Sequence, residues 1–452
     1  MLKHTFYHWV QRLSPAQLLY FFYIIAIVIS TFLLSLPISF KKDVHVPFID
    51  VLFTAVSALS VTGLTTISIS DTFSTTGLII LTVIFHLGAV GIMTASTFIW
   101  LIIGKKIGLF ERRLLMQDQN QTTFGGIVGL IKQIVIIFFV VEIVGVIILG
   151  TYLLQFYPTT KEAYFHGYFS TISAMSNAGF TLSANSYMPY AGDFFFQFII
   201  MILVIFGAIG FPVLIEVKQY LRKRHLKRKY RFSLFTKLTS TTFFLLILLG
   251  ALFIYLLDFH QFFKDKLWYE SLFYSLFQSV TTRSAGFSTL DVSSLTESNQ
   301  LFISLLMFIG ASPSSAGGGI RTTTFALVVI FILTYVRGGK SVKIFHREVY
   351  DEDLLKAVTV TILASIIIIF SLLLLTLLEP FTITQLLFEV TSAFGTVGLS
   401  LGITDELSTL SKIVLMVLMF IGRVGLITFI FTIKKENEHE YIRYPKERII
   451  IG

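Results

Sequence analysis

The sequence predicts an all-α polytopic membrane protein, with four repeats in a pseudo-fourfold arrangement around a central pore and eight full spans. The first observation is composition: 55% of the 452 residues are hydrophobic and 13% are charged, and the mean hydropathy is +0.81. The second is a set of nearly uncharged runs that supply or approach the ~20 residues needed to cross a hydrocarbon core. These runs cover residues 18–36, 79–103, 134–154, 199–215, 243–257, 357–378 and 413–433. The third is a short sequence motif, called the repeated phrase below, that occurs four times in the chain.

The repeated phrase is an apolar stretch, then small residues, then one glycine followed by a bulky apolar residue. It occupies residues 57–64, 173–180, 280–287 and 392–399, with glycines at Gly63, Gly179, Gly286 and Gly398. Successive glycines are about 110 residues apart, so a unit of that length is repeated. We assign the repeats to residues 17–115, 116–228, 229–347 (with a broken second helix) and 348–435, flanked by cytoplasmic segments 1–16 and 436–452.

Basic residues cluster at the three repeat junctions. They are Lys105, Lys106, Arg112 and Arg113; Lys218, Arg222, Lys223, Arg224, Lys227, Arg228, Lys229, Arg231 and Lys237; and Arg337, Lys340, Lys343 and Arg347. Because cytoplasmic loops are enriched in Lys and Arg, all three junctions are expected inside, which requires an even number of spans per repeat. Two per repeat gives eight spans, with both termini on the cytoplasmic side of the cell membrane. We interpret the basic loops as orientation signals that also contact anionic membrane lipid; nucleic acid binding is not supported.

The first apolar run begins with signals for a permanent helix. Ser14 suits an N-cap, Pro15 the first helical position and Gln17 the closing residue of a capping box. The run is longer than the apolar core of a signal peptide, and no small-residue cleavage site follows it.

The segment before each repeated glycine is too short to cross the membrane. Residues 48–60 would form a helix of about 20 Å, which fits a segment that enters, turns at the glycine and leaves on the same side. Non-helical backbone at this depth has to be buried or line water. A ring of backbone carbonyls can replace the hydration shell of a cation, and glycine permits the backbone angles that direct carbonyls to one axis. The phrases contain no acid and no histidine, which favours a large monovalent cation.

We therefore expect a selectivity filter formed by backbone carbonyls of the four phrases. Its residues are Val61, Thr62 and Gly63; Asn177, Ala178 and Gly179; Ser284, Ala285 and Gly286; and Thr396, Val397 and Gly398.

A second echo of small residues lies in the second helix of each repeat, at 88–91, 207–210, 310–313 and 422–425. Close packing between helices explains these residues as well as any functional role does. In the third repeat the echo expands into a string that a helix cannot continue through, because it holds a proline and three glycines. We expect this string to be the one helix break and a mobile gating element. It comprises Gly310, Ala311, Ser312, Pro313, Ser314, Ser315, Ala316, Gly317, Gly318 and Gly319.

Three titratable residues lie inside apolar runs. Arg423 is in the last run, where a charge is costly unless it is paired or hydrated. It either hydrogen-bonds helix ends or holds the gating element, and we favour the second role. Glu142 is a candidate for proton or Na⁺ coupling, but an interhelical hydrogen bond is the simpler interpretation, as it is for His86.

These residues together resemble the Trk/Ktr/HKT superfamily of potassium transporters, and most closely its KtrB-type membrane subunits. The resemblance covers essentially the whole chain: four units with one filter glycine each, a broken second helix in the third unit, an arginine in the fourth and the string Thr281–Phe287. It implies K⁺ uptake through a filter around the four glycines, an intramembrane gate at residues 310–319, and a homodimer seated on a cytosolic nucleotide-binding ring of KtrA-type regulatory subunits. The family's Na⁺-preferring branch has Ser at the first filter position, where this chain has Gly63. Na⁺ remains a possible activator.

Two other classes of function stay open. A Na⁺-selective or Na⁺/H⁺-coupled symporter is the nearer alternative, although such folds usually have inverted or twofold repeats. A membrane-embedded enzyme would need a nucleophile or metal constellation, and neither HExxH nor a paired-Asp motif is present. The chain has no cysteine, which excludes disulfides and thiol catalysis. It has no GxGxxG motif, so any regulatory nucleotide is expected on a partner.

Overall fold

The structure is a computed structural model that describes residues 14–103, 107–119, 126–225 and 229–426, with Thr428, Pro445, Glu447 and Ile449 beyond them. The prediction of an all-α protein is confirmed, apart from one two-stranded hairpin. The helices are α1 (Pro15–Leu34), α2 (Phe48–Ser60), α3 (Ile69–Thr72), α4 (Thr75–Val90), α5 (Ile92–Ile102), α6 (Leu109–Asp118), α7 (Ile127–Leu153), α8 (Thr160–Ser176), α9 (Phe194–Ala208), α10 (Phe211–His225), α11 (Leu234–Leu257), α12 (Trp268–Thr281), α13 (Glu297–Ile309), α14 (Thr322–Val336), α15 (Asp351–Leu378), α16 (Ile383–Gly395) and α17 (Thr409–Val424). The strands, β1 (Lys343–Ile344) and β2 (Arg347–Glu348), pair antiparallel at the third junction and were not predicted.

The same three-part order occurs four times. A long helix (α1, α7, α11 and α15) is followed by a short helix that ends at the repeated phrase (α2, α8, α12 and α16), which we call the pore helix. The pore helix is followed by a second apolar helix (α4, α9, α13 and α17). The first long helix starts as predicted, because the Ser14 side chain accepts from the Gln17 backbone and the Gln17 side chain accepts from the Ser14 backbone.

The second helix is interrupted in more than the third repeat, so the expectation of a single break was wrong. The axes of α4 and α5 differ by 96°, and those of α9 and α10 by 103°. The physical reason is a glycine with positive φ at each bend, 95° at Gly91 and 99° at Gly210, which a right-handed helix cannot contain. Gly425, which ends α17, has a φ of 93°.

The number of spans stays a prediction. Within the described ranges, four single helices are long and apolar enough to cross a membrane, and up to six segments qualify if each bent pair is one span. The second helix of the third repeat consists of α13 and α14, which are both short. Residues beyond 428 are largely outside the described part of the chain. Lys105, Lys106, Lys227 and Arg228 also lie outside the described residues, as do most of segments 1–16 and 436–452.

Contacts between successive repeats close into a ring. The second helix of each repeat packs against the pore helix of the next one: α4 on α8, α9 on α12, and α13 on α16. The last second helix, α17, packs against the first pore helix, α2. At this closing contact the buried Lys412 Nζ lies 2.8 Å from the Oδ1 atom of Asp50, which is also buried. These contacts therefore join the four repeats in a closed cycle, in the order in which they occur in the sequence. Their pseudo-fourfold arrangement around one axis stays a prediction.

The outer faces of the long helices are apolar. Side chains such as Val28 and Phe32 on α1, Ile143 on α7, Leu248 on α11 and Phe370 on α15 are each more than 55% exposed. A chain that exposes such faces in regular rows is suited to hydrocarbon surroundings. This surface supports a membrane location.

Candidate functional site

Each pore helix ends just before the repeated glycine. The helices α2, α8 and α16 end at Ser60, Ser176 and Gly395, and the next residue in each case has left-handed backbone angles. These residues are Val61 (φ 59°), Asn177 (φ 55°) and Thr396 (φ 47°). The third pore helix, α12, ends two residues earlier relative to its glycine, and Ser284 (φ 84°) occupies the equivalent position.

The left-handed position was missed by sequence reasoning, which placed the turn at the glycine alone. Two of the four residues there, Val61 and Thr396, are β-branched, and such residues rarely adopt positive φ. Strain of this kind costs on the order of 1–3 kcal/mol and is retained where the surrounding structure needs the conformation. The backbone of each phrase therefore has a positive φ angle at two positions, at this residue and at the glycine two positions later.

The four glycines form a closed ring. A Cβ atom added to Gly63 would lie 2.6 Å from the carbonyl oxygen of Ala178, and one added to Gly179 would lie 3.0 Å from that of Ala285. A Cβ on Gly286 would overlap the Val397 carbonyl. One on Gly398 would overlap the Thr62 carbonyl, which returns the series to the first repeat. Each glycine therefore makes room for the backbone carbonyl of the next repeat, and eight of the twelve predicted filter residues meet in this ring.

Hydroxyl groups at the pore-helix ends support the ring. The Ser57 Oγ accepts from the Gly63 backbone N at 3.1 Å, and the Ser392 Oγ accepts from the Gly398 N at 3.1 Å. In the second repeat the Ser173 Oγ donates to the Phe180 carbonyl at 2.7 Å. These bonds hold the turn from within its own repeat, so the carbonyls need not be positioned by a bound ion.

A polar vestibule lies against the ring. Its cavity of about 780 Å³ is lined by all four filter glycines and by the loops that follow them. The two carboxylates on its wall are Asp291 and Asp405. Within the described part of the chain, the wall of this cavity is therefore largely polar and carries two acidic side chains, a charge that favours cations over anions.

The string Gly310–Gly319 is a narrow loop whose two ends are adjacent. The Ala311 backbone N donates to the Gly318 carbonyl at 3.1 Å. Its middle is tied to the second repeat, because the Ser312 N donates to the Ala208 carbonyl and the Ala316 N donates to the Gly207 carbonyl, both at 3.0 Å. The loop is thus an inserted hairpin held by backbone bonds from a neighbouring repeat.

The loop touches the repeated phrases of the third and fourth repeats. The Gly318 N donates to the Ser284 Oγ at 3.2 Å, and that hydroxyl donates to the Thr396 carbonyl at 2.7 Å. A Cβ on Gly317 would lie 2.5 Å from the Ser284 Cβ, and one on Gly318 would lie 2.5 Å from the Thr396 Oγ1. The absence of side chains at Gly317 and Gly318 is what allows this approach.

Two arginines hold the loop. The Arg423 guanidinium donates through Nη1 to the carbonyls of Ala316 and Gly317, the latter at 3.3 Å, and through Nη2 to those of Gly88 and Ala89. Arg423 thereby links the fourth, third and first repeats, which is the contact that sequence reasoning favoured. Arg321, which that reasoning did not single out, donates to the same Gly317 carbonyl and to the Ser312 carbonyl. The position of Arg321 directly after a glycine-rich loop is the feature of the sequence that could have identified it.

A small cavity of about 30 Å³ lies on another side of the loop, with Arg321, Arg423, Ser314 and Asp118 in its lining. Its volume matches about one water molecule. The Ser314 Oγ donates to the carbonyl of Gln119, the residue after α6, so the first junction also contacts the loop. The space on this side of the loop is much smaller than the vestibule.

The echo of small residues has a packing role. A Cβ on Gly88, Gly207 or Gly422 would overlap a carbonyl oxygen near the end of a pore helix, at Leu59, Met175 or Phe394 respectively. Close approach of the second helix to the pore helix therefore requires these three glycines, as the packing interpretation expects. A functional role is assigned only to the expanded third copy.

Glu142 and His86 face each other across two helices. The Nδ1 atom of His86 on α4 lies 3.2 Å from the Oε1 atom of Glu142 on α7. The two side chains are neighbours across the helices, and neither lines the vestibule. The structural role expected for Glu142 stays a prediction. A buried acid that was not anticipated, Glu389 on α16, accepts from Ser400 and from the Thr404 hydroxyl, and so holds the loop after the fourth filter glycine.

Comparison with known proteins gives one family. The chain matches the TrkH family, described as cation transport protein, over residues 14–443. It is 53% identical to the Ktr system potassium uptake protein D of Bacillus subtilis (strain 168) over 444 residues, which is 98% of each chain. It is 38% identical to the Ktr system potassium uptake protein B of the same organism, again over 98% of each. The crystal structure of the potassium transporter TrkH from Vibrio parahaemolyticus superposes with a TM-score of 0.68, covering 91% of this chain and 84% of that one at 19% identity, which shows a common fold.

Proposed function

Because the chain belongs to the TrkH family of cation transport proteins, we propose that it takes up potassium across the cell membrane. Its relatives at 53% and 38% identity carry the name of potassium uptake proteins and match over almost their whole length. The chain is a transporter, not an enzyme. K⁺ is the transported ion, and the four phrases around Gly63, Gly179, Gly286 and Gly398 form its selectivity filter.

The observation that carries the proposal is the closed ring of glycines. Four carbonyls, one from each repeat, lie against four glycines without any acid among the twelve filter residues. Neutral carbonyl ligands suit a monovalent cation that has to leave as readily as it enters. The pore helices add the partly negative ends of their dipoles on the same side as these turns.

The loop Gly310–Gly319 is the gate of this proposal. Its contact with Ser284 and Thr396 supports a position directly at the filter, and Arg423 and Arg321 hold its carbonyls. Only Ala311 and Ala316 of the loop belong to the hydrophobic core. Hydrogen bonds hold the rest of the loop, and its glycines allow a change of conformation with little repacking. In this proposal the bonded conformation is the closed one.

The proposed complex is a homodimer in the membrane on a cytosolic nucleotide-binding ring, with no nucleotide site in this chain. The support is the basic character of the junctions, whose described residues Arg222, Lys223 and Arg224 are exposed at the end of α10. Such residues attract both anionic lipid and an acidic partner surface. Na⁺ activation belongs to the same proposal and is tested with it.

The experiment is ion flux through the purified full-length chain in liposomes. Uptake of ⁸⁶Rb⁺ against a K⁺ gradient is expected, with much slower ²²Na⁺ uptake, and external Na⁺ at millimolar levels tests activation. Faster Na⁺ than Rb⁺ flux would replace the proposal with the Na⁺-selective alternative. Flux that follows an imposed pH or Na⁺ gradient would replace it with a coupled symporter.

The gate is tested by deleting Ser312–Gly318. The deletion can be closed without stretching the chain, because Ala311 already hydrogen-bonds to Gly318. We expect Rb⁺ flux to rise at least tenfold with the Rb⁺/Na⁺ ratio little changed, since the filter glycines are retained. A matched control shortens the third junction hairpin between β1 and β2, where flux should stay at the parental level. A folded deletion variant that conducts no faster than the parent would show that the loop is not the gate.

A further inference from the structure

The third repeat departs from the other three at one position of the filter phrase. Three residues before the glycine, the first, second and fourth repeats have Ser60, Ser176 and Gly395, each the last residue of its pore helix. The third repeat has Arg283. It follows the end of α12 at Thr281 by two residues, so a full charge replaces a small residue at one of four equivalent places.

The Arg283 side chain is buried and unpaired. It has no exposed surface, and within the described residues none of its atoms Nε, Nη1 and Nη2 has a hydrogen-bond partner. It takes part in none of the ion pairs there. Arg423, by contrast, donates to carbonyls of two repeats. Burial without a partner is costly, and a residue that contributes no bond at such a cost calls for another explanation.

The charge lies at the end of a helix dipole. The C-terminal end of each pore helix carries a partial negative charge of roughly half an elementary charge. A guanidinium two residues beyond the end of α12 opposes that partial charge, whereas the residues at the equivalent places of α2, α8 and α16 are uncharged. With a positive charge two residues beyond the end of α12, we expect only the other three pore helices to contribute an unopposed negative potential at the filter.

We propose that Arg283 is a specificity-determining residue: its positive charge weakens cation binding at the filter and selects against divalent cations. The proposal rests on the proposed function, since it requires the glycine ring to bind cations. The interaction of a fixed charge with an ion is proportional to the ion's charge. Whatever the effective dielectric constant, Arg283 therefore disfavours a divalent ion twice as strongly, in free energy, as a monovalent one.

The test is a titration of the full-length protein in detergent with Rb⁺ and with Ba²⁺, two ions of similar radius. At an effective dielectric constant of about 20, a unit charge on the order of 10 Å from an ion changes the binding of a monovalent ion by roughly tenfold. In Arg283→Gln, Rb⁺ should bind about tenfold more tightly than in the parent, and Ba²⁺ about a hundredfold more tightly. The logarithmic shift for Ba²⁺ should be twice that for Rb⁺. A rearranged filter would not produce this ratio.

Two further variants complete the experiment. Arg283→Lys keeps the charge and should resemble the parent with both ions, and Arg337→Gln, which removes an exposed arginine, should change neither titration. Equal shifts for the two ions in Arg283→Gln, or no shift, would overturn the proposal. If both Arg283→Gln and Arg283→Met fail to fold while Arg283→Lys folds, the charge serves folding and the proposal is again overturned. A parent that binds neither Rb⁺ nor K⁺ would refute the proposed function itself, which is a separate outcome.

Discussion

Removal of the Arg423 side chain is expected to open the pore. In Arg423→Ala the loop loses the donors to Ala316 and Gly317, while Arg321 still donates to Gly317. A hydrogen bond from a charged donor is worth about 1.5–3 kcal/mol, so losing the net equivalent of one such bond shifts the closed-to-open ratio by roughly 10- to 150-fold. The bonds to Gly88 and Ala89 are lost from both conformations and contribute little to the ratio.

The assay is ⁸⁶Rb⁺ flux in liposomes at matched protein density, with ²²Na⁺ flux measured in parallel. Flux in Arg423→Ala should rise within that range while the Rb⁺/Na⁺ ratio stays close to that of the parent. Arg321→Ala should raise flux too, and the double variant should differ from the sum of the two effects because both side chains share one carbonyl. Arg337→Ala, at an exposed site, is the control. Unchanged or reduced flux in a folded Arg423→Ala protein would refute the assignment of Arg423 to the closed state.

Three other predictions concern the filter, the ring closure and the orientation. Gly63→Ser should lower the Rb⁺/Na⁺ flux ratio, because its Cβ would displace the Ala178 carbonyl, whereas Gly192→Ser, whose Cβ would meet nothing within 4 Å, should not; an unaltered ratio removes Gly63 from the filter. Lys412→Met should lower the free energy of unfolding by about 3–5 kcal/mol, since it leaves the Asp50 carboxylate buried without its partner. Adding Asp50→Leu should recover part of that loss in thermal denaturation, and a double variant no more stable than Lys412→Met would contradict the pairing. Because the chain lacks cysteine, Lys229→Cys should react with an impermeant thiol reagent only from the cytoplasmic side and Gly192→Cys only from outside; the reverse pattern would overturn the orientation.

Local patterns of the sequence were sufficient for the first short helix and for the cap of the first long helix. The helix predicted at 48–60 is present as Phe48–Ser60, and Ser14 caps α1 as expected. Both depend on residues within a few positions of one another, where propensity and capping act directly. The contact between Arg423 and the loop was also anticipated, because two copies of one repeat place equivalent residues at similar depth.

Features that depend on distant residues could not be predicted in this way. One glycine in an apolar helix lowers the stability of that helix by only about 1 kcal/mol and does not by itself indicate a bend. The breaks at Gly91 and Gly210 were therefore missed. The pair of Asp50 and Lys412 joins residues 362 positions apart. Val61 has a side chain that disfavours left-handed angles, and only the packing of the whole ring imposes them.

The ring of glycines determines which repeat is disturbed by a substitution at each glycine. The missing side chain of Gly63 leaves room for a carbonyl that belongs to the second repeat, and that of Gly398 for one that belongs to the first. A side chain introduced at one glycine therefore displaces a carbonyl of the following quarter of the chain, which is an ion ligand in the proposed function. In the proposed filter, the smallest unit of change is therefore a glycine together with the carbonyl that it accommodates, and each such pair is shared between two quarters. A single chain can vary these four pairs separately, which an assembly of four identical subunits cannot.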